Sequence, residues 1–280
     1  MSEIALILFT FCLQAAIGIM LFYVVGKELV RDKEFKAAAL ASAILGIVAI
    51  LTSLFHLGRP LAFLNSLANL GSSWLSIEAL FAGIFTVIAV VYVLLLYLKP
   101  SSHIVPRIAG WAGSLVGILT VAAMAKVYTS TIIPLWQGLN TYVEFYATTI
   151  AVGGLLFLVL GKKELRREIN GLVGLIILGA VFIQAGVAIP YAFSLSQGGM
   201  AAQTSAEILS AMGTVLALKW LLVLIGAGIL MWPYASELLR TNKNIGTGVV
   251  YIACVSVVVG QFIGRYIFYA ALVAPQIGLT

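Results

Sequence analysis

Three residues that could exchange or hold protons lie close together in the stretch FHLGRPLAFLNSLANLGSSWLSIEAL, residues 55–80. They are His56, Arg59 and Glu78, in a protein in which only 9% of the residues are charged. A neutral imidazole and an ionised carboxylate can each accept a proton, so this pair could serve proton-coupled chemistry. Whether the two side chains meet depends on the elements that carry them.

The composition predicts that these elements are membrane-spanning helices. The chain has 280 residues, of which 62% are hydrophobic, whereas about a quarter of a typical soluble chain is charged. About 20 apolar residues cross the ~30 Å hydrocarbon core, and the sequence contains eight such segments, at 4–26, 37–57, 74–98, 108–128, 143–161, 169–189, 208–232 and 246–273. Helices satisfy their own backbone hydrogen bonds in lipid, and the segments are too long for barrel strands. We therefore predict an all-α integral membrane protein with one eight-helix domain over residues 1–280.

The distribution of Lys and Arg predicts the orientation of this bundle. Most of the sixteen basic residues follow the odd-numbered spans: Lys27, Arg31, Lys33, Lys36, Lys99, Arg107, Lys162, Lys163, Arg166, Arg167, Arg240 and Lys243. Among the loops and ends on the opposite side, only Arg59 is basic. Because basic loops remain in the cytoplasm, both ends of the protein are expected outside. This distribution also explains the net positive charge without a nucleic-acid partner.

Four basic residues do not follow this rule: Arg59, Lys126, Lys219 and Arg265. A charge inside the membrane costs ~2.5–3.5 kcal/mol on insertion scales, so each needs a reason. The predicted spans place His56, Glu78, Lys126 and Arg265 at a similar depth near the outer surface. Lys219 falls nearer the middle of the seventh span.

A pocket formed by these residues would suit a quinol, whose ring carries two hydroxyls and whose tail stays in lipid. Quinol oxidation releases two protons as the electrons leave, and His56 and Glu78 are the predicted acceptors. Thr52, Ser53 and His56 share one helix face, and the uncharged segment PLAFLNSLANLGSSW is predicted to cover the pocket. The remaining lining residues are expected to be Ser53, Arg59, Trp74, Lys126, Tyr128 and Arg265.

The protein itself is expected to carry no redox cofactor and no metal. Haem b in a membrane bundle normally needs two facing histidines, but His56 and His103 fall on opposite sides of the membrane. The lone Cys12 and Cys254 cannot hold an iron–sulfur cluster. Electrons from a quinol would therefore pass to a cofactor in a partner docked on the outer face.

Three motifs resemble those of a known family. HLGRPLAFLNSLANLGSSWLSIE resembles the HLG-x-P…A-x-NSL…S-x-LS-x-E signature of the membrane-anchor subunit of dimethyl sulfoxide reductase, the DmsC family. KVYTS with the following PLW at 126–136, and IGRYIFY at 263–269, are similar to its later motifs. The resemblance implies a subunit of the bacterial cytoplasmic membrane that binds menaquinol near the outer surface. It also implies an iron–sulfur subunit and a molybdopterin subunit as partners in anaerobic respiration, with His56 and Glu78 at the quinol site.

Structural roles remain open for the same residues. His56 could cap its helix, Glu78 could reach to water beside Trp74, and Arg59 could bind lipid phosphate or a docking partner. Lys126 and Arg265 could pair with Glu144 or Glu78, and Lys219 could be a buried structural charge. Trp111, Trp136 and Trp232 lie at predicted helix ends, which is typical of interfacial anchors. A secondary transporter and a tether without a redox role are the alternative functions.

Overall fold

The computed structural model describes residues 2–56, 71, 73–98, 104–162, 164–165, 167–238, 247–271 and 273. Within these residues the protein is helical: α1 Ser2–Leu29, α2 Lys36–His56, α3 Trp74–Leu98, α4 Ile104–Thr129, the 3-10 helix Pro134–Trp136, α5 Leu139–Leu160, α6 Arg167–Ser196, α7 Met200–Ala211, α8 Gly213–Leu238 and α9 Thr247–Ala270.

Eight of these helices are long and apolar enough to cross a membrane, which confirms the predicted number of spans among the described residues. They are α1 to α6, α8 and α9. The short helix α7 was not predicted. Its apolar residues Ile208 and Leu209 were assigned to the seventh span, which was predicted to begin at residue 208 but begins at Gly213.

Consecutive spans run antiparallel, as contacts between their ends show. Lys36 at the start of α2 lies over the ring of Tyr97 at the end of α3. Lys126 near the end of α4 lies over the ring of Trp74 at the start of α3. We call the end of the bundle where α1, α3, α5 and α8 begin the termini end. The opposite end, where α2, α4, α6 and α9 begin, is called the basic end.

The centre of the bundle is formed by α1 and α5, the two most buried spans. They approach so closely that a Cβ added to Gly153 would lie 2.2 Å from Gly18 Cα. The predicted small-residue pairs also permit close packing. A Cβ on Gly117 would lie 2.7 Å from Ile17 Cγ2, and one on Gly260 would lie 3.0 Å from the Lys219 carbonyl oxygen. Glycine is therefore needed wherever these helices cross.

Candidate functional site

Glu78 lies one turn inside α3 at the termini end and is the least expected charged residue there. Its side chain is only 3% exposed, so it does not reach to water beside Trp74. Its Oε1 atom has no hydrogen-bond partner among the residues that the structure describes. Tyr128 and Tyr269 are close enough to interact electrostatically with its carboxyl group. A buried carboxyl oxygen without a partner is costly in apolar surroundings, and a ligand hydroxyl could satisfy it.

A hydrogen bond between two tyrosines joins the ends of α4 and α9 beside Glu78. The hydroxyl oxygens of Tyr128 and Tyr269 are 2.6 Å apart, and both side chains are buried. The Tyr128 ring packs against Trp136, Phe145 and Phe268, with ring centres 5.1 to 5.5 Å apart. These five residues form what we call the aromatic cluster. Their packing fixes the positions of both hydroxyls, because rings at this spacing leave little room to move.

Arg265 places a positive charge inside the same region. The residue is 1% exposed, and its Nη2 donates a hydrogen bond to Gln14 Oε1 at 2.6 Å. Its guanidinium carbon lies 3.9 Å from the centre of the Phe145 ring, a cation–π contact. Nε and Nη1 have no hydrogen-bond partner within the described ranges. Arg265 forms no ion pair with Glu78 or Glu144, so the predicted pairing is wrong for this residue.

The other predicted lining residues fall into two groups. Lys126 Nζ lies 5.7 Å from the centre of the Trp74 ring, and neither Glu78 nor Glu144 pairs with this lysine. Ser53 is half-buried near the end of α2. The backbone of His56 ends α2, but its side chain, Arg59 and most of the predicted covering segment lie outside the described residues. Their places at the site therefore stay predictions.

A second polar site at the termini end was missed from the sequence. Lys219 Nζ donates to Glu144 Oε1 at 2.8 Å, and both side chains are almost fully buried. Gly264 makes room for the pair, because a Cβ there would lie 2.8 Å from Lys219 Nζ. The pair borders a cavity of about 280 Å³ between α5, α6, α7, α8 and α9, which also includes Trp220 and Phe268.

The position of Lys219 corrects the predicted depth of this residue. Since α8 begins at Gly213, Lys219 lies about 9 Å along the helix from the termini end, at 1.5 Å per residue. Glu144 is similarly close to the start of α5 at Leu139. The ion pair therefore belongs to the same end of the bundle as Glu78. Its partner, Glu144, confirms the expectation that Lys219 is a buried structural charge.

Glutamine pairs extend this buried polar layer toward the middle of the bundle. Gln184 on α6 and Gln261 on α9 exchange hydrogen bonds of 3.2 and 2.9 Å through their amide groups. Gln184 also lies within hydrogen-bonding reach of the Glu144 carboxylate. Gln14 holds Arg265 from α1. The prediction that these three glutamines form hydrogen bonds between helices is confirmed.

The arrangement around Glu78 combines three chemical capacities. The carboxylate can accept a proton, the paired tyrosine hydroxyls can donate or accept hydrogen bonds, and the Arg265 guanidinium has two unused donor nitrogens. Aromatic and aliphatic side chains surround all three. Such a site suits a ligand with a polar ring and an apolar body.

Comparison with known proteins now identifies the family. The model of the DMSO reductase anchor subunit (DmsC) family matches residues 1–271. The chain belongs to the DmsC family. It is thus a membrane protein of an anchor-subunit family, as the three motifs and the eight spans indicate.

Similar proteins occur in two bacteria. The third subunit (C) of the anaerobic dimethyl sulfoxide reductase of Haemophilus influenzae is 30% identical over 275 residues, which are 95% of this protein and 94% of the relative. The Escherichia coli subunit of the same name is 25% identical over 224 residues, or 79% and 76% of the two proteins. The E. coli anaerobic dimethyl sulfoxide reductase subunit YnfH is 23% identical over 272 residues, or 95% and 94%.

Within this DmsC-family protein, sequence reasoning found Glu78, Tyr128 and Arg265 but missed Trp136. Trp136 was expected in an interfacial belt, but it is buried and its Nε1 donates to the Phe268 carbonyl oxygen at 2.8 Å. The 3-10 helix Pro134–Trp136 turns the ring inward onto α9. The PLW sequence after α4 was the available signal, because proline favours such a turn.

Proposed function

We propose that this DmsC-family protein is the quinol-oxidising anchor subunit of a dimethyl sulfoxide reductase type complex, with menaquinol as its substrate. The observation that carries the proposal is the buried Glu78 carboxyl oxygen without a partner among the described residues, beside the Tyr128–Tyr269 pair. A quinol hydroxyl donated to this oxygen would satisfy it. The apolar tail would extend between the helices into lipid.

The proposed reaction breaks both O–H bonds of the quinol and yields the quinone, two electrons and two protons. Glu78 as a carboxylate and His56 as a neutral imidazole accept the protons and pass them to water at the same surface. Tyr128 and Arg265 orient the ring oxygens by hydrogen bonds, while Trp74 and Lys126 border the entrance with Ser53 and Arg59. Orientation of this kind lowers the barrier because the acceptors are already in place.

The two electrons leave one at a time to an iron–sulfur cluster in a partner subunit, and from there they reach a molybdopterin subunit that reduces the terminal acceptor. Family membership supports both partners, because the relatives are named as parts of anaerobic dimethyl sulfoxide reductase. This subunit therefore anchors the complex in the membrane and supplies its electrons, without carrying out the terminal reduction.

We further propose that the termini end faces outward across the bacterial cytoplasmic membrane and receives the partners. The support is the asymmetry of basic residues, which concentrates Lys and Arg at the basic end. The Glu78 site then lies near the docked iron–sulfur subunit. Electron transfer over a short distance requires this proximity.

The test uses the complete complex with Glu78→Gln or His56→Asn and follows turnover with a menaquinol analogue and with a soluble dye donor. Loss of a proton acceptor is expected to slow the quinol route by about a hundredfold, while the dye route, which bypasses this subunit, stays unchanged. Glu207→Gln, a matched change at an exposed position of α7, is the control. Unchanged quinol turnover in both site variants would leave only the tether role.

A further inference from the structure

A charged cavity of about 340 Å³ lies at the basic end, at the opposite end of the bundle from Glu78. It lies between the end of α1, the start of α4 and the facing side of α3. Its lining residues are Val24, Lys27, Glu28, Arg31, Tyr92, Pro106, Arg107 and Gly110. Three of them are cations and one is a carboxylate, so the lining carries a net positive charge.

The ion pairs around this cavity leave one cation uncompensated. Arg107 binds the Glu28 carboxylate through two hydrogen bonds, from Nε to Oε1 at 2.6 Å and from Nη2 to Oε2 at 2.9 Å. Lys27 Nζ pairs with Glu34 Oε2 at 2.6 Å. Arg31 has no carboxylate within ion-pair distance among the described residues, because Arg107 occupies the neighbouring Glu28. The guanidinium of Arg31 is thus available to an anion.

The floor of the cavity also lacks a partner. Gly110 leaves it open, since a Cβ there would lie 2.9 Å from Val24 Cγ2 and 3.7 Å from the Tyr23 hydroxyl oxygen. The Tyr23 side chain is fully buried beside Tyr92, and its hydroxyl lacks a well-formed hydrogen bond within the described part of the protein. A buried hydroxyl of this kind normally has a partner. An acceptor oxygen entering the cavity could provide one.

The surroundings of the cavity favour a lipid over a soluble anion. On the outer side of α4, Val105, Ile108 and Trp111 are about half exposed or more, and Val25 on α1 is 45% exposed. These side chains offer apolar surface next to the charged lining, and a tryptophan at a helix end is typical of the lipid headgroup level. The positive-inside rule explains basic residues in this loop, but it does not explain a cavity lined by them.

From these observations we propose that the cavity binds the phosphate headgroup of an anionic phospholipid in the leaflet at the basic end. Arg31 contacts the phosphate, the headgroup enters the space above Gly110, and the acyl chains lie along the exposed face of α4. Basic pockets between membrane helices bind acidic headgroups in this way. The proposal is independent of the quinol chemistry at the other end of the bundle.

The test is native mass spectrometry of the delipidated complex titrated with phosphatidylglycerol and with phosphatidylcholine of the same acyl chains. The unaltered complex is expected to retain one phosphatidylglycerol preferentially. Arg31→Gln should weaken this preference about fivefold, the effect of one cation near an anionic headgroup. The matched control is Lys33→Gln, which removes a charge from the same loop at a residue that does not line the cavity. It should leave the preference intact.

Three outcomes would contradict the proposal. The first is equal binding of the two lipids by the unaltered complex. The second is an equal loss in Arg31→Gln and Lys33→Gln, which would indicate general charge attraction. The third is displacement of phosphatidylglycerol by millimolar inorganic phosphate, which would assign the cavity to a free anion. In the expected result inorganic phosphate leaves the bound lipid in place.

Discussion

The hydroxyl oxygens of Tyr128 and Tyr269 lie 2.6 Å apart and join the ends of α4 and α9 at the depth of Glu78. Both side chains are buried, and the Tyr128 ring is enclosed by Trp136, Phe145 and Phe268. The pair therefore holds two polar atoms at a fixed place inside an otherwise apolar region. This arrangement is stable only if each hydroxyl keeps a partner.

Removing one of these hydroxyls tests their part in quinol binding. Tyr128→Phe keeps the ring and its packing but takes away a hydrogen bond, so quinol-dependent turnover should fall about fivefold, equivalent to one hydrogen bond of ~1 kcal/mol. Steady-state rates with a menaquinol analogue and with a dye donor measure the effect. Tyr146→Phe is the control, because its hydroxyl bonds the Ile118 carbonyl oxygen outside the aromatic cluster. Equal rates in the two variants would argue against a role for Tyr128.

The sequence predicts the spans well but their ends less well. Crossing the hydrocarbon needs about 20 apolar residues, and this length requirement appears directly in the composition of each segment. The boundary at Gly213 could not be found in this way, since α7 carries apolar residues on one face and runs almost directly into α8. The error moved Lys219 toward the middle of the membrane and concealed its pairing with Glu144.

At the site, residue type and depth predict which side chains come near one another but not which pairs form. Lys126, Lys219 and Arg265 were all possible partners for Glu144, and only three-dimensional packing selects Lys219. A local feature that no pattern predicts is Phe35, a buried residue with a φ of 46°. Its backbone N–H donates to Glu164 Oε2 at 2.9 Å, a contact across 129 positions of sequence.

The buried pair of Lys219 and Glu144 should behave as a unit in stability measurements. Lys219→Met or Glu144→Gln alone leaves an unpaired buried polar or charged group, and each should lower the free energy of unfolding by about 3–5 kcal/mol. The double variant should recover most of this loss, because no unpaired charge remains. Denaturation of the purified complex in detergent gives the three values. Additive losses in the double variant would mean that the two residues act separately.

Close packing of α1 on α5 should not tolerate a side chain at the crossing. Gly153→Ala would place a methyl group 2.2 Å from Gly18 Cα, so the two helices must separate and the folded subunit should no longer accumulate in membranes. Gly83→Ala on α3 is the matched control, because a Cβ there has no atom within 4 Å. Immunoblots of the membrane fraction measure both. Normal accumulation of Gly153→Ala would contradict the observed packing.

The proposed orientation can be tested with single cysteines at exposed positions. Ser130→Cys lies at the termini end and Asp32→Cys at the basic end, and both side chains are exposed. A membrane-impermeant maleimide should label Ser130→Cys in intact spheroplasts but Asp32→Cys only after permeabilisation. The native Cys12 and Cys254 lie within spans, and replacing both with serine removes their background. The reverse labelling pattern would place the partners and the Glu78 site on the cytoplasmic side.

The most direct test of the account is photo-labelling of the purified complex with an azido-menaquinone, followed by mapping of the labelled peptides. The Glu78 site predicts labels within the segments 74–82, 124–136 and 261–270, which disappear in the presence of excess menaquinol. Glu78→Gln should reduce the same labels. Labels confined to residues around the Lys219 cavity, at 188–192 and 213–220, would contradict the assignment of the quinol to Glu78, as would labels that menaquinol does not displace.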